Sequence, residues 1–148
     1  MKTTLVILAL LLTGCISTSS HNEVHYSDTM EIIRSAAEAA PLGVEGIYTL
    51  KIKAAGMQRA VVYLNTEEDY RDQRNITVSL HPKLIDELTA KYGEHPEVYW
   101  IGKTMEVRGQ AKRARIVFSS NGRPTDKYYY QTHIRVSDAS QIKVLIKS

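Results

Sequence analysis

The chain has 148 residues, of which 43% are hydrophobic and 24% are charged, and its formal net charge is +3. This length suits one domain with a hydrophobic core of its own. Because the chain contains a single cysteine, an intrachain disulfide is excluded and the core must hold the fold alone.

The first 15 residues have the pattern of a bacterial lipoprotein signal peptide. Lys2 gives a charged start, residues 5–12 are apolar, and Leu12-Thr13-Gly14-Cys15 has the form of a lipobox. In lipoproteins the thiol of this cysteine is diacylated, the chain is cut before it, and the new amine is acylated. Residues 1–14 are therefore predicted to be removed, and Cys15 to become a diacylglyceryl cysteine with an amide-linked acyl chain such as palmitate. The alternative is an ordinary secretory signal with an incidental cysteine.

The lipid would then be the membrane anchor. The apolar run is too short to span a bilayer as a helix, which needs roughly 20 residues, and three acyl chains hold far more firmly than one. Ile16, rather than Asp, follows the cysteine, which predicts sorting to the outer membrane, facing the periplasm. Residues 15–27 contain a run of four Ser and Thr and are expected to form a flexible tether. Residues 28–148 remain as a single domain.

An amphipathic helix is predicted over residues 29–40, at the start of this domain. Asp28 is a suitable N-cap, Glu31 could complete a capping box, and Pro41 follows the helix. Apolar residues recur on one face at helical spacing, namely Met30, Ile33, Ala37 and Ala40.

From Val44 onward the pattern changes to strands. They are predicted at residues 47–53, 59–64, 75–80, 104–112 continuing through 114–118, 127–136 and 142–146. A second helix is predicted between the third and fourth strands, because Pro82 suits a first helical turn and Gly93 a helix end. Its apolar stripe consists of Leu84, Ile85, Leu88 and Tyr92.

Three strands, a helix and two long strands follow one another in the order of the OB-fold. That fold is a five-stranded Greek-key β-barrel, with its helix between strands three and four. The chain is therefore predicted to be mainly β, with this barrel and an extra N-terminal helix. Gly109 is a candidate for the sharp bend that a small barrel requires. A β-sandwich is the second choice, and the helix between the third and fourth strands argues against it.

Three segments carry a resemblance to a known family. They are residues 64–71 (LNTEEDYR) leading into strand 76–80, residues 102–109 (GKTMEVRG) and residues 136–142 (VSDASQI). From about Val44 to Ile146 the chain resembles a family of secreted bacterial OB-fold proteins, which includes lipoproteins described as nucleic-acid-binding. The resemblance implies the barrel and a nucleic-acid ligand, and it assigns no catalytic residues.

The basic half of the chain supplies most of the candidate binding residues. Residues 102–148 carry 10 basic and 3 acidic side chains, against 8 and 13 in residues 16–101, so an anionic partner is expected. OB-folds bind ligands across strands two and three, between loops predicted here at residues 54–58 and 119–127. Single-strand binding requires cations for phosphates and flat rings for bases. The candidates are Arg59, Tyr63, Tyr70, Lys112, Arg113, Arg115, Arg123, Lys127 and Tyr129.

The three consecutive tyrosines in strand 127–136 are predicted to divide between two faces. Tyr128 and Tyr130 alternate with the core positions Ile134 and Val136, so they are expected to be buried, whereas Tyr129 points the other way. The alternative for the basic cluster at residues 112–115 is an ordinary solvated strand surface.

No catalytic or metal-binding residues are predicted. The histidines lack metal-ligand spacing, no serine lies in a G-x-S-x-G turn, and no glycine-rich loop could hold a nucleotide. The charged loop at residues 65–74 is expected to be held by salt bridges, with metal-assisted phosphodiester cleavage or a Ca²⁺ site as the alternatives. The chain is therefore expected to need no cofactor and to be a binding module rather than an enzyme.

Two functions remain open. The first is binding of single-stranded nucleic acid or another polyanion, with little sequence preference, through the basic half. The second is an envelope module that uses the same face for a protein or a glycan, which the predicted location favours because nucleic acid is scarce outside the cytoplasm. A secreted nuclease is the third and least favoured class.

Overall fold

The computed structural model describes residues 23–145, and about half of them lie in strands. The predicted signal peptide and Cys15 lie outside the described residues. Within residues 23–145, no helix is long and apolar enough to cross a membrane. In chain order the elements are β1 (His25–Tyr26), α1 (Thr29–Glu38), β2 (Val44–Lys51), β3 (Ala54–Gln58), β4 (Val61–Asn65), β5 (Ile76–Leu80), α2 (Ile85–Tyr92), α3 (Pro96–Tyr99), β6 (Thr104–Ser120), β7 (Arg123–Val136) and β8 (Ile142–Leu145).

All of these strands belong to one mixed, curled sheet. Along the path β2–β6–β7–β5–β4–β3, every neighbouring pair is antiparallel except β5 and β7, which run parallel. The two ends of this path, β2 and β3, are separated in the chain only by Ile52 and Lys53. The Ile52 amide donates to Lys103 O (2.9 Å) and the Lys53 amide to Asn65 O (2.9 Å). The chain therefore passes directly from the β6 side of the sheet to the β4 side.

The hydrophobic core lies inside this curl. Ile76, Val78 and Leu80 alternate along β5 and are fully buried, as the sequence pattern predicts. Leu88 of α2 and Trp100, which follows α3, belong to the same buried cluster. The helices between β5 and β6 therefore cover part of the core.

Helix α1 confirms the predicted cap but not the predicted apolar face. The Asp28 carboxylate accepts hydrogen bonds from the amides of Met30 (2.8 Å) and Glu31 (3.1 Å), which satisfies two amides of the first turn. The buried residues are Ile32 and Ala36, whereas Met30 is 54% exposed. Both stripes have helical spacing, and contact with the sheet selects the one that is buried. The helix also ends at Glu38 rather than at residue 40.

The mainly β prediction is confirmed, but residues 23–145 form eight strands rather than five. Residues 54–58, predicted as a loop, form β3 and pair with β4 along their whole length. Most of the loop predicted at residues 119–127 is also strand, because the turn is formed by Asn121 and Gly122 alone. Both residues have positive φ (52° and 74°), which is the conformation of a two-residue hairpin turn.

The β6–β7 hairpin extends beyond the rest of the sheet. β2 ends its pairing with β6 at Val44, opposite Ala111, and β5 begins its pairing with β7 at Ile76, opposite Thr132. Among the described strands, residues 112–120 therefore pair only with β7, and residues 123–131 pair only with β6. We call residues 112–131 the arm. It carries five basic side chains and one acidic one.

The last residues of the predicted tether lie against the sheet. β1 pairs in parallel with β2, Tyr26 stacks on Tyr48 with ring centroids 5.3 Å apart, and Glu23 forms an ion pair with Arg108 (2.8 Å). Residues 23–27, predicted as part of the tether, therefore pack against the domain.

Candidate nucleic-acid interface

A groove of about 520 Å³ lies on the outer face of the sheet, beside the arm. The strand residues that line it alternate with core residues: Thr77 lies next to buried Val78, and His133 next to buried Ile134. Since successive strand side chains point to opposite faces, the groove and the core lie on opposite sides of the sheet. Tyr63, a binding residue predicted from the sequence, lies on this outer face.

Three of the candidate tyrosines meet in this groove. Tyr63 comes from β4, Tyr70 from the loop that follows β4, and Tyr129 from β7. The ring centroid of Tyr129 lies 5.1 Å from that of Phe118, on the neighbouring strand of the arm. Burial, together with nearby Tyr70, raises the pKa of Tyr129. Its phenol therefore stays protonated at neutral pH and can both donate and accept hydrogen bonds.

Asn75 ties the loop that carries Tyr70 to the floor of the groove. Its side-chain amide donates to the side-chain oxygens of Asn65 (3.2 Å) and Thr77 (3.0 Å). The same amide donates to the backbone carbonyl of Tyr70 (3.2 Å), and the Asn75 oxygen accepts from the Glu67 amide (3.1 Å). Asn65, Asn75 and Thr77 are buried, so these bonds are made away from water, where they strongly constrain the loop.

Gln131 connects the same loop to the arm. Its amide donates to the carbonyl of Tyr70 (2.9 Å) and to the hydroxyl of Tyr129 (2.9 Å). Its own carbonyl accepts from Nε2 of His133 (2.7 Å). Burial, with a smaller contribution from Arg135, lowers the pKa of His133, so the imidazole is neutral at pH 7. The floor of the groove thus consists of uncharged amide, hydroxyl and imidazole groups.

The five predicted cations of the second half all lie on the arm, but they do not share one face. Register pairs Ile116 with Tyr129 and Arg115 with Tyr130, so Arg113 and Arg115 lie on the face opposite the groove. Lys112 lies at the base of the arm, opposite His133, and Arg123 lies beside the terminal turn. Lys127 lies on β7 near the tip. Arg59 is exposed, with positive φ (51°), in the β3–β4 turn next to Gln58 at the rim of the groove.

The expectation that Tyr128 and Tyr130 are core residues is wrong, because they are 48% and 43% exposed. They do alternate with Ile134 and Val136, as predicted. At their level, however, β2 and β5 have ended, so neither of these two strands covers the rings. Alternation therefore gives the correct face of the strand but not its burial.

The charged loop between β4 and β5 contains ion pairs. Arg74 pairs with Asp72 (2.7 Å), Lys53 with Glu67 (2.7 Å) and Arg71 with Asp69 (3.8 Å). Hydrogen bonds from Arg74 lower the pKa of Asp72 to about 2. Because these pairs are largely exposed, each contributes little to stability. Among residues 23–145, no group of three or more His, Cys, Asp or Glu could hold a metal ion.

The three tyrosines that line the groove are among the residues predicted from the sequence, but most of the polar residues of its floor are not. Gln131 and His133 share the face of Tyr129 by simple alternation, and this signal was available in the sequence. Asn65 and Asn75 carry no such signal, because each stands at a strand end and they meet only through the β4–β5 pairing.

No family model matches the chain, and no curated protein matches it in sequence. Among solved structures, an aspartyl-tRNA synthetase from Entamoeba histolytica is 11% identical with a TM-score of 0.48; the match covers 94% of this chain and 24% of the synthetase. A chain described as an aspartyl-tRNA synthetase from Leishmania major Friedlin is 9% identical, also with a TM-score of 0.48, and the match covers 89% of this chain and 22% of that one. Both TM-scores are below 0.5, so neither likeness establishes a shared fold.

Proposed function

We propose that residues 44–136 form an OB-fold barrel and that the chain belongs to the secreted OB-fold family that its sequence resembles. Three features support the barrel. β5 and β7 are parallel, α2 and α3 lie between β5 and β6, and the strand path begins and ends within the continuous segment 44–58. In this interpretation β2 and β3 are the two halves of the first barrel strand, while β1 and β8 are additions at its edge. The five-stranded order is then β2/β3, β4, β5, β6 and β7.

We propose that this barrel is a binding module, not an enzyme, and that its groove binds single-stranded nucleic acid. The observation that carries the proposal is the convergence of Tyr63, Tyr70 and Tyr129 from three separate segments on one groove. Tyrosine rings stack on any base, and this accounts for binding with little sequence preference. The amide and imidazole groups of Gln131 and His133 can bond to base edges, and the arm adds positive charge beside them.

A protein- or glycan-binding envelope module is the second candidate, and one observation favours its glycan form. In the described part of the chain, the side chains that line the groove include tyrosines, amides and a hydroxyl but neither Lys nor Arg. Sugar rings can stack on tyrosine and bond to amides without any cation. The two candidates therefore differ in how much the ligand's charge contributes to binding.

A salt titration of oligonucleotide binding tests the first candidate and separates it from the second. The logarithm of the binding constant should fall with the logarithm of salt concentration by about 0.7 for each phosphate that the protein neutralises. Two or more contacts predict a slope of about −1.4 or steeper. Absence of binding to single-stranded DNA and RNA at low ionic strength would contradict the nucleic-acid proposal. Shortened oligonucleotides after long incubation with Mg²⁺ or Ca²⁺ would instead indicate a nuclease.

We also propose that the domain is held at the outer membrane, on its periplasmic side, by lipid on Cys15. Replacing Cys15 by serine removes the acceptor thiol, so a full-length chain made in a Gram-negative host should move from the membrane fraction to the soluble fraction. Ile16→Asp is the matched control, because it keeps the thiol and should instead shift the chain from outer to inner membranes. Cell fractionation followed by immunoblotting measures both changes. A wild-type chain that incorporates no labelled palmitate, or a Cys15→Ser chain that incorporates as much as the wild type, would rule out the lipid anchor.

A further inference from the structure

The face of the arm opposite the groove carries a repeated arginine–tyrosine arrangement. The guanidinium carbon of Arg113 lies 4.1 Å from the centre of the Tyr130 ring, and that of Arg115 lies 4.1 Å from the Tyr128 ring. The two rings contact each other edge to face, with centroids 5.6 Å apart. We call these four side chains the ladder. Each arginine contacts the tyrosine that lies two residues nearer the tip than its own cross-strand partner. The same contact is therefore made twice.

The ladder is separate from the groove. Ile116 and Tyr129, which alternate with ladder residues along the two strands, line the groove, and none of the four ladder side chains does. A ligand confined to the groove would therefore leave the ladder free.

The ladder presents positive charge that the described part of the protein does not neutralise. Within residues 23–145, neither Arg113 nor Arg115 forms an ion pair with a carboxylate, and both are exposed. Cation–π contact holds each guanidinium group in place. The N–H edges of a guanidinium group held in this way remain available for the two parallel bonds that arginine makes to a phosphate.

The spacing of the ladder suits successive phosphates of one strand. Arg113 and Arg115 are two residues apart on one face of β6, so their backbones are separated by about 6.6 Å, which is comparable with the separation of neighbouring phosphates along an extended strand. Because each arginine covers one face of its tyrosine ring, that face is not free to stack on a base. The ladder would thus contact the phosphate backbone, whereas the groove would contact the bases.

We propose that the ladder is a second binding surface, specific for phosphates, that engages the same nucleic-acid strand when the strand is long enough to pass from the groove around the arm. This rests on the proposed function of the groove. It predicts that the number of phosphates contacted, and hence the salt dependence, increases with strand length beyond what the groove accommodates.

The test compares a short oligothymidine of about 5 nucleotides with a long one of about 20, a range that spans the site sizes of single OB-folds. In the Arg113→Ala/Arg115→Ala double variant, the salt slope for the long strand should become shallower by about 1.4, corresponding to two lost phosphate contacts. Its affinity at low salt should fall about tenfold or more. Binding of the short strand should be unchanged. Tyr129→Ala, in contrast, should weaken binding of both strands.

The control is Arg34→Ala/Lys91→Ala, which removes the same charge from two helices and, at Lys91, also a cation placed over a tyrosine (5.2 Å from the Tyr92 ring). An equal loss in this control, or an equal loss for short and long strands in the ladder variant, would overturn the proposal. Arg113→Lys/Arg115→Lys keeps the charge but not the paired bonds, so it should keep most of the slope while losing affinity. If the wild-type protein binds only the long strand, and binds it through the ladder, the groove proposal is contradicted, whereas the ladder is still supported as a phosphate-binding surface.

Discussion

Replacing Tyr129 by alanine is expected to weaken binding of short single-stranded oligonucleotides by roughly 5- to 150-fold, the range that corresponds to one lost base–aromatic stack. Tyr129 is the ring on which the groove depends most, because it packs on Phe118 at 5.1 Å and is bonded to Gln131 at 2.9 Å. Its orientation is therefore fixed before the ligand arrives, and little freedom is lost on binding. Fluorescence anisotropy of a labelled oligonucleotide, measured at constant low salt, gives the ratio of affinities.

Two neighbouring substitutions identify the cause of any loss. Tyr129→Phe keeps the ring and removes only the hydroxyl, so it should bind nearly as well as the wild-type protein if stacking dominates. Tyr128→Ala removes a tyrosine one residue away on the opposite face of the arm and should leave short-strand binding intact. If Tyr129→Ala binds as tightly as the wild-type protein, or if Tyr128→Ala is equally weakened, the groove is not the site at which bases stack.

Local elements could be predicted wherever a single residue determines the backbone conformation or its hydrogen bonding. Gly93 ends α2 with a φ of 77°, Asn121-Gly122 forms the turn of the arm, and Asp28 caps α1. In each case the required conformation or hydrogen bond belongs to the residue itself. The alternating apolar pattern of β5 likewise gave its buried face, because that strand is covered along its whole length.

Predictions that depended on neighbouring elements were less complete. The pattern of β7 is as regular as that of β5, yet Tyr128 and Tyr130 are exposed because β7 continues past the end of its neighbours. Arg113 and Tyr129 lie on one arm but on opposite faces, since the register of β6 with β7 is set by the turn. Sequence alone therefore placed Tyr129 and the five candidate cations of the second half on one hairpin, without dividing them between groove and ladder.

The polar floor of the groove depends on a tertiary arrangement that no local pattern specifies. Asn75 immediately precedes β5, a position where asparagine usually serves a turn, and instead it bonds to three groups in two other segments, namely Asn65, Glu67 and Tyr70. The carbonyl of Tyr70 accepts hydrogen bonds from both Asn75 and Gln131, and these bonds hold the residue beside the groove. The position of a candidate ligand-binding ring thus depends on buried amides far from it in sequence.

This dependence makes Asn75 the residue whose loss should most affect both fold and groove. Asn75→Ala is expected to lower the free energy of unfolding by about 2–4 kcal/mol, because the buried oxygens of Asn65 and Thr77 each lose one donor and the Glu67 amide loses its acceptor. The Asn65 oxygen keeps its bond from the Thr77 hydroxyl (2.9 Å). Chemical denaturation followed through the fluorescence of Trp100, the single tryptophan and a fully buried one, measures the change. The loop should also release Tyr70, so short-strand affinity should fall even where the variant remains folded.

A substitution in the same loop controls for general loosening. Gln73 is exposed and makes no side-chain hydrogen bond among the described residues, so Gln73→Ala should change stability by less than about 0.5 kcal/mol. Asn75→Asp keeps an acceptor for the Glu67 amide but places a carboxylate against the oxygens of Asn65 and Tyr70. Because burying an unpaired charge costs more than losing a neutral hydrogen bond, Asp should be at least as destabilising as Ala. If Asn75→Ala is as stable as Gln73→Ala, or if it binds short strands normally, then the amide network does not hold the groove, and the convergence of the three tyrosines needs another cause.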